Sequence, residues 1–202
     1  MRTIFKTTVL TSMLVAASVM AQADEWKVAK DEDGIKVYTR SVEGSKYKAY
    51  RGIVTIKATP DRIEQLQEDT VNSCKWLYRC QQLKVLKHEG QNTWTYMRIE
   101  MPWPVTARDV VLQITTQQAD NGGFIRYLKG QPTYTSAVDG YVRVSSFEGK
   151  WQVLPKAAGI VEVTYEAQSE PGGSIPSWLA NSFVVDAPFN TLQGLRKAAE
   201  GH

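Results

Sequence analysis

Few residues in this chain could do chemistry, and their spacing narrows what that chemistry is. The two histidines are His88, in the turn-like run Lys87-His88-Glu89-Gly90, and the terminal His202; the two cysteines are Cys74 and Cys80. Two thiolates need two further ligands to hold zinc, and neither histidine has a second one near it in sequence, so no metal centre is indicated. The cysteine spacing is not the Cys-x-x-Cys of a redox pair. In an oxidising compartment it reads as a disulfide, closed where the chain turns from helix to strand around Trp76-Leu77-Tyr78. No Gly-x-Ser-x-Gly elbow, His-Glu-x-x-His helix or phosphate-binding glycine loop occurs. No cofactor is called for.

Carboxylates offer two groupings. Asp31-Glu32-Asp33 is a charged turn; the other is Glu100 with Asp109, and Glu100 lies on the strand Trp94-Thr95-Tyr96-Met97-Arg98-Ile99-Glu100-Met101. Alternation sends Trp94, Tyr96, Arg98 and Glu100 to one face and Thr95, Met97, Ile99 and Met101 to the other. If the methionine face is the core, Arg98 and Glu100 form a surface pair of small worth. If the tryptophan face is the core, the two charges are buried and survive only when paired, where they would anchor a polar ligand group.

Those residues must be positioned by a chain that is mostly of period two. Strands are expected over Ile35 to Tyr38, Lys46 to Ala58, Leu83 to Lys87, Asn92 to Met101, Asp109 to Gln118, Phe124 to Lys129, Tyr141 to Pro155 and Ile160 to Ser169. Thr59-Pro60 supplies an N-cap and a proline at the first helical position, predicting helix from Pro60 to about Trp76, in one or two pieces. Asn121-Gly122-Gly123 is a hairpin signal. From Ile175 the period becomes helical through Trp178, Leu179, Phe183, Phe189, Leu192 and Leu195, with Pro188 expected to divide the helix at Asp186-Ala187-Pro188. The class is α+β: a long antiparallel meander whose apolar face only the last helix is long enough to cover.

At 202 residues, 43% hydrophobic and 22% charged, the chain is an ordinary globular one with no internal linker or repeat. Residues 1–23 differ: Arg2 and Lys6, an apolar run from Val9 to Met20, no acid, then Ala21-Gln22-Ala23. This is the pattern of a secretory signal peptide cleaved after Ala23, too short in its apolar part for the ~20 residues of a bilayer span. The mature domain would then be residues 24–202 in the periplasm of a Gram-negative bacterium. The leader also takes two positive charges out of a net +3, so the mature chain is nearly neutral. It lacks the basic cluster that nucleic-acid binding needs.

Four stretches in order resemble the START family of lipid-transfer domains. They are Trp26 with Gly34 to Arg40; Met101-Pro102-Trp103-Pro104-Val105 leading to Arg108-Asp109-Val110-Val111; Gly149-Lys150-Trp151 with Pro155; and Pro171-Gly172-Gly173 to Asn181. The resemblance covers essentially the whole mature chain. It implies a helix-grip fold, in which a curved antiparallel sheet wraps around the long C-terminal helix and leaves an internal apolar tunnel. It also places the Trp103 and Val105 loop at the tunnel mouth and Trp178 and Phe183 on the lid. Independently of family, a tryptophan between two prolines is a stiff amphipathic prong suited to a membrane interface.

The expected function is therefore non-enzymatic binding and transfer of a lipid or similar apolar molecule, with transient membrane-surface contact and no identified protein partner. Tyr96, Arg98, Glu100 and Asn181 are the candidates for polar contacts inside the tunnel. Arg108 and Asp109 match the family motif but, as neighbours on a strand, face opposite sides, so at least one is structural. The alternatives from other classes are a cyclase- or hydrolase-like enzyme on the same fold and a ligand-sensing interaction module.

Overall fold

Local signals account for the turns and caps. A computed structural model of the chain describes residues 25–201, so the leader expected over 1–23 lies outside the described residues. β1 (Lys27–Glu32) and β2 (Ile35–Arg40) pair with Glu32 opposite Ile35. The two-residue turn is Asp33-Gly34, both at positive φ, as the tightest hairpins require. After β3 (Ala49–Ile56), α1 (Pro60–Glu68) opens as the sequence predicts: the Arg62 N–H donates to Thr59 Oγ1 at 3.3 Å and Pro60 fills the first position. A separate 3-10 turn, Ser73–Lys75, supplies the second helical piece.

β4 (Cys80–Glu89), β5 (Asn92–Ile99), β6 (Arg108–Gln118), β7 (Phe124–Gly130), β8 (Val142–Arg143), β9 (Ser146–Ala157) and β10 (Ile160–Glu170) follow, then α2 (Ser177–Glu200). The sheet order is β1-β2-β3-β10-β9-β7-β6-β5-β4, antiparallel along this path. The single strand expected over Tyr141–Pro155 is broken instead. β8 pairs in parallel with the start of β6, beyond the point where β7 has ended, and only β9 runs with β7 and β10. The preceding loop folds over the outer face of β5 and β6: Tyr134 stacks on Trp94 at 5.8 Å, and Tyr141 lies 4.7 Å from the Arg98 guanidinium.

Pro188 does not divide the last helix. α2 runs unbroken from Ser177 to Glu200 with Pro188 inside it. The loss of one helical hydrogen bond, about 3 kcal/mol in an isolated helix, is offset by packing. Phe189, Leu192 and Leu195 are buried against Ile35, Val37, Val54, Ile56, Val161 and Val163. The helix lies so close to the sheet that a Cβ on Gly52 would stand 2.6 Å from Leu192 Cδ1 and 3.3 Å from Pro188 Cβ. Gly194 allows the same approach on the other side, since a Cβ there would meet the Trp76 carbonyl oxygen at 2.4 Å.

Candidate functional site

The second half of α2 packs on solid core, but its first half spans a void. A cavity of about 200 Å³ lies between Ala180, Phe183, Val184 and Ala187 of the helix, Met97, Ile99 and Met101 of the β5 end, and Tyr50, Phe147 and Tyr165 of the sheet. A second chamber of about 140 Å³ shares Leu77, Met97, Ile99, Val144, Phe147 and Tyr165 with the first and continues past Trp76 and Trp151. Protein interiors normally leave few voids larger than one water molecule, so space on this scale marks a binding cleft rather than loose packing. Its floor is an aromatic row. Tyr50 meets Tyr165 edge-on at 5.3 Å, Tyr165 stacks on Trp151 at 4.0 Å, and Trp151 meets Trp76 edge-on at 6.2 Å. Burial pushes the Tyr50 and Tyr165 hydroxyls above their ordinary pKa, so both stay neutral.

Polar groups in the first chamber are few and carry no negative charge. Lys48 and Asn181, both exposed, stand at its edge, and Arg108 lines its wall at 3% exposure. The Arg108 guanidinium donates to the carbonyl oxygens of Thr106, Pro171 (3.4 Å) and Gly172 (3.1 Å). Loss of hydration lowers its pKa from the usual arginine value. No aspartate, glutamate or histidine lines either chamber among the described residues.

The second chamber ends in polar atoms. Gln67 Nε2 and Oε1 and Thr95 Oγ1 are buried without a protein partner. Beside them Arg126 donates to Thr116 Oγ1 at 2.9 Å and Glu68 Oε1 at 3.1 Å.

The pairing of β5 with β6 decides which residues of these strands face the cavity. Directly opposed residues share a face of a sheet, and Ile99 opposes Arg108 while Arg98 opposes Asp109. Met97, Ile99 and Met101 line the first chamber, so the expectation that Tyr96, Arg98 and Glu100 face the tunnel is corrected. Tyr96 and Arg98 lie on the outer face, where the Arg98 Nε donates to the Tyr96 hydroxyl at 3.2 Å, and Glu100 is exposed. Tyr96 is nonetheless only 3% exposed, because the loop before β8 covers it. Asp109, on that same outer face, accepts from Arg143 Nε at 2.8 Å and Nη2 at 3.0 Å. Arg143 also donates to the carbonyls of Pro132, Thr135 and Ser136, tying the covering loop down. Arg108 and Asp109 thus divide as strand geometry requires, one to the cavity and one to the scaffold.

Of the other predicted residues, Asn181 and Phe183 line the cavity. Trp103 and Trp178 are exposed at 93% and 70%, each two residues from a lining residue, Met101 and Ala180 respectively. Val105 is half-buried and closes the Trp103 turn, its N–H donating to the Pro102 carbonyl at 2.9 Å. Cys74 and Cys80 are joined in a disulfide that ties the 3-10 turn to β4 beside Leu77 and Tyr78 of the wall.

A family model described as the START domain matches residues 11–202. The chain belongs to the START domain family. This START chain is 56% identical over 200 residues to an uncharacterized protein of Pseudomonas aeruginosa, covering 99% of each. It shares 38% identity and a TM-score of 0.81 with the structure of a STAR-related lipid transfer protein fragment from Xanthomonas axonopodis, over 88% of this chain and 99% of that one. It is also 22% identical over 182 residues to the phosphatidylcholine transfer protein of Bos taurus, spanning 88% of this chain and 85% of that protein. The curved sheet closed by one C-terminal helix is the helix-grip fold of the START family.

Proposed function

We propose that this protein is a carrier that takes one lipid or similar apolar molecule from a membrane into the cleft beneath α2 and delivers it to another membrane. The observation that carries this reading is the cleft itself: two adjoining chambers walled mainly by aliphatic and aromatic side chains under the first half of α2. Burial of an acyl chain there offsets its removal from the bilayer at about 0.8 kcal/mol per CH₂. Trp103 and Trp178 are the docking prongs, each on a segment that also supplies cavity wall, and Asn181 is a polar contact at the mouth. The family relationship and the lipid-transfer relatives support the same reading.

The compartment proposed is the periplasm, with the leader removed after Ala23. A disulfide supports an oxidising environment. Protein recovered from the periplasm should begin at Asp24 and carry Cys74 and Cys80 as a pair that resists alkylation until reduced. The function is tested by mass spectrometry of molecules extracted from that protein, together with lipid transfer between donor and acceptor vesicles. A stoichiometric apolar ligand and protein-dependent transfer are expected; if neither is found, the carrier reading fails.

A further inference from the structure

We infer that the molecule held in this cleft is an amphiphile with an anionic head group, a phosphate or carboxylate received by Arg108 and Lys48. This inference rests on the carrier reading and specifies the ligand it takes. Among the described residues, two arginines are buried to more than nine-tenths, Arg108 and Arg126. Arg126 has a carboxylate partner in Glu68. Arg108 has none: the ion pairs among the described residues leave it out, and its partners are three main-chain carbonyls. Carbonyls orient a guanidinium without neutralising it, and a buried cation without a counter-charge is costly. Those three bonds leave two of its five N–H groups for a ligand, held in the planar fork that suits a carboxylate or phosphate.

The surroundings agree in sign. Lys48 stands exposed at the edge of the same chamber, and Arg79, whose Nε is buried without a partner, lies over the rings of Tyr78 and Phe183 in the cavity wall. On the strand that forms this wall, Glu166 pairs with Arg51 and Glu162 with Lys156, while Glu170 accepts from the Ser45 hydroxyl and stands outside the cavity lining. A head group between Lys48 and Arg108 leaves its chain to run over Tyr165 towards Trp151 and the second chamber. Because Arg108 is buried, salt screens its attraction weakly, whereas that of the exposed Lys48 weakens more as salt rises.

The test compares monomeric ligands that differ only in the 3-phosphate, by isothermal titration calorimetry on the mature protein. 1-Myristoylglycerol 3-phosphate should bind at least about tenfold more tightly than 1-monomyristoylglycerol, and glycerol 3-phosphate alone should bind far more weakly than either. Arg108 also ties Thr106 to Pro171 and Gly172, so Arg108→Gln is read beside Lys48→Glu, an exposed change that leaves the fold alone. Both should lower affinity for the charged lipid about tenfold, and by a larger factor than for the neutral one. Equal affinity of the parent for the two lipids overturns the inference and leaves the carrier reading standing. So does undiminished charged-lipid affinity in Lys48→Glu. Binding of glycerol 3-phosphate as tight as that of the lipid would make this a soluble-phosphate site, and binding of neither lipid would remove the carrier reading itself.

Discussion

Removing Trp103 should detach the protein from membranes without disturbing its fold. The side chain is 93% exposed, so its apolar surface, roughly 200 Å² for a tryptophan, is almost wholly free to enter a bilayer interface. At about 25 cal/mol per Å², insertion to half its depth contributes about 2.5 kcal/mol, or roughly a 70-fold loss of vesicle binding for Trp103→Ala. Trp178, at 70% exposure, presents less, and the same reasoning gives about 1.8 kcal/mol, roughly twentyfold. Because the prongs sit on different segments, their effects should add in the double variant. Vesicle co-sedimentation measures the binding loss and transfer between vesicle populations measures its consequence. Titration with a monomeric ligand and thermal melting should show affinity and stability unchanged, since exposed substitutions typically shift stability by less than about 0.5 kcal/mol. Undiminished vesicle binding by the double variant, or an equal fall in ligand affinity without membranes, refutes the docking role.

Asp109→Asn leaves the Arg143 charge without its counter-charge, which for a buried pair costs about 3–5 kcal/mol; the carbonyls that Arg143 keeps lower this to roughly 2–3 kcal/mol. Urea denaturation should show that loss while ligand affinity holds, separating the scaffold residue from its neighbour Arg108. Helix propensity alone favours Gly194→Ala by about 1 kcal/mol, but the new Cβ would stand 2.4 Å from the Trp76 carbonyl oxygen. The variant should therefore be destabilised, by about 1–3 kcal/mol; a raised melting temperature would contradict the packing described. Ala187→Trp places a large side chain in the first chamber and should weaken lipid binding at least about tenfold in a protein that still melts cooperatively.

What could be read from the sequence was local. The turn at Asp33-Gly34, the cap at Thr59-Pro60 and the hairpin at Asn121-Gly122-Gly123 each carry their physics within a few residues, whereas the pairing of β3 with β10, remote in sequence, was not legible in the meander. The inward face of β5 could not be read that way. Both of its faces are covered, one by α2 across the cavity and the other by the loop that puts Tyr134 on Trp94, so alternation alone leaves Tyr96 and Met97 equivalent. The cross-strand register resolves the choice, and it moves the buried cation from Arg98 to Arg108. Pro188 was misread for a related reason: Gly52, which lets the helix rest on the sheet, is remote in sequence and carries no helical signal. Gln67 and Thr95 were missed because nothing in the sequence marks an unpartnered amide or hydroxyl.

The pairing of β3 with β10, with Val54 opposite Val163, also sets the order in which the molecule can be assembled. The first three strands emerge early, yet their partner is the last strand made, and the helix that roofs the cleft comes later still. Contacts this remote make closure slow, and until it happens the free edges of β3 and β9 lie open to pairing with other chains. A chain stopped short of β10 therefore has neither a finished sheet nor a place for a ligand. Any molecule that binds the closed form and not the unfolded chain draws folding towards completion by mass action, so on the proposed function a bound lipid would also aid folding.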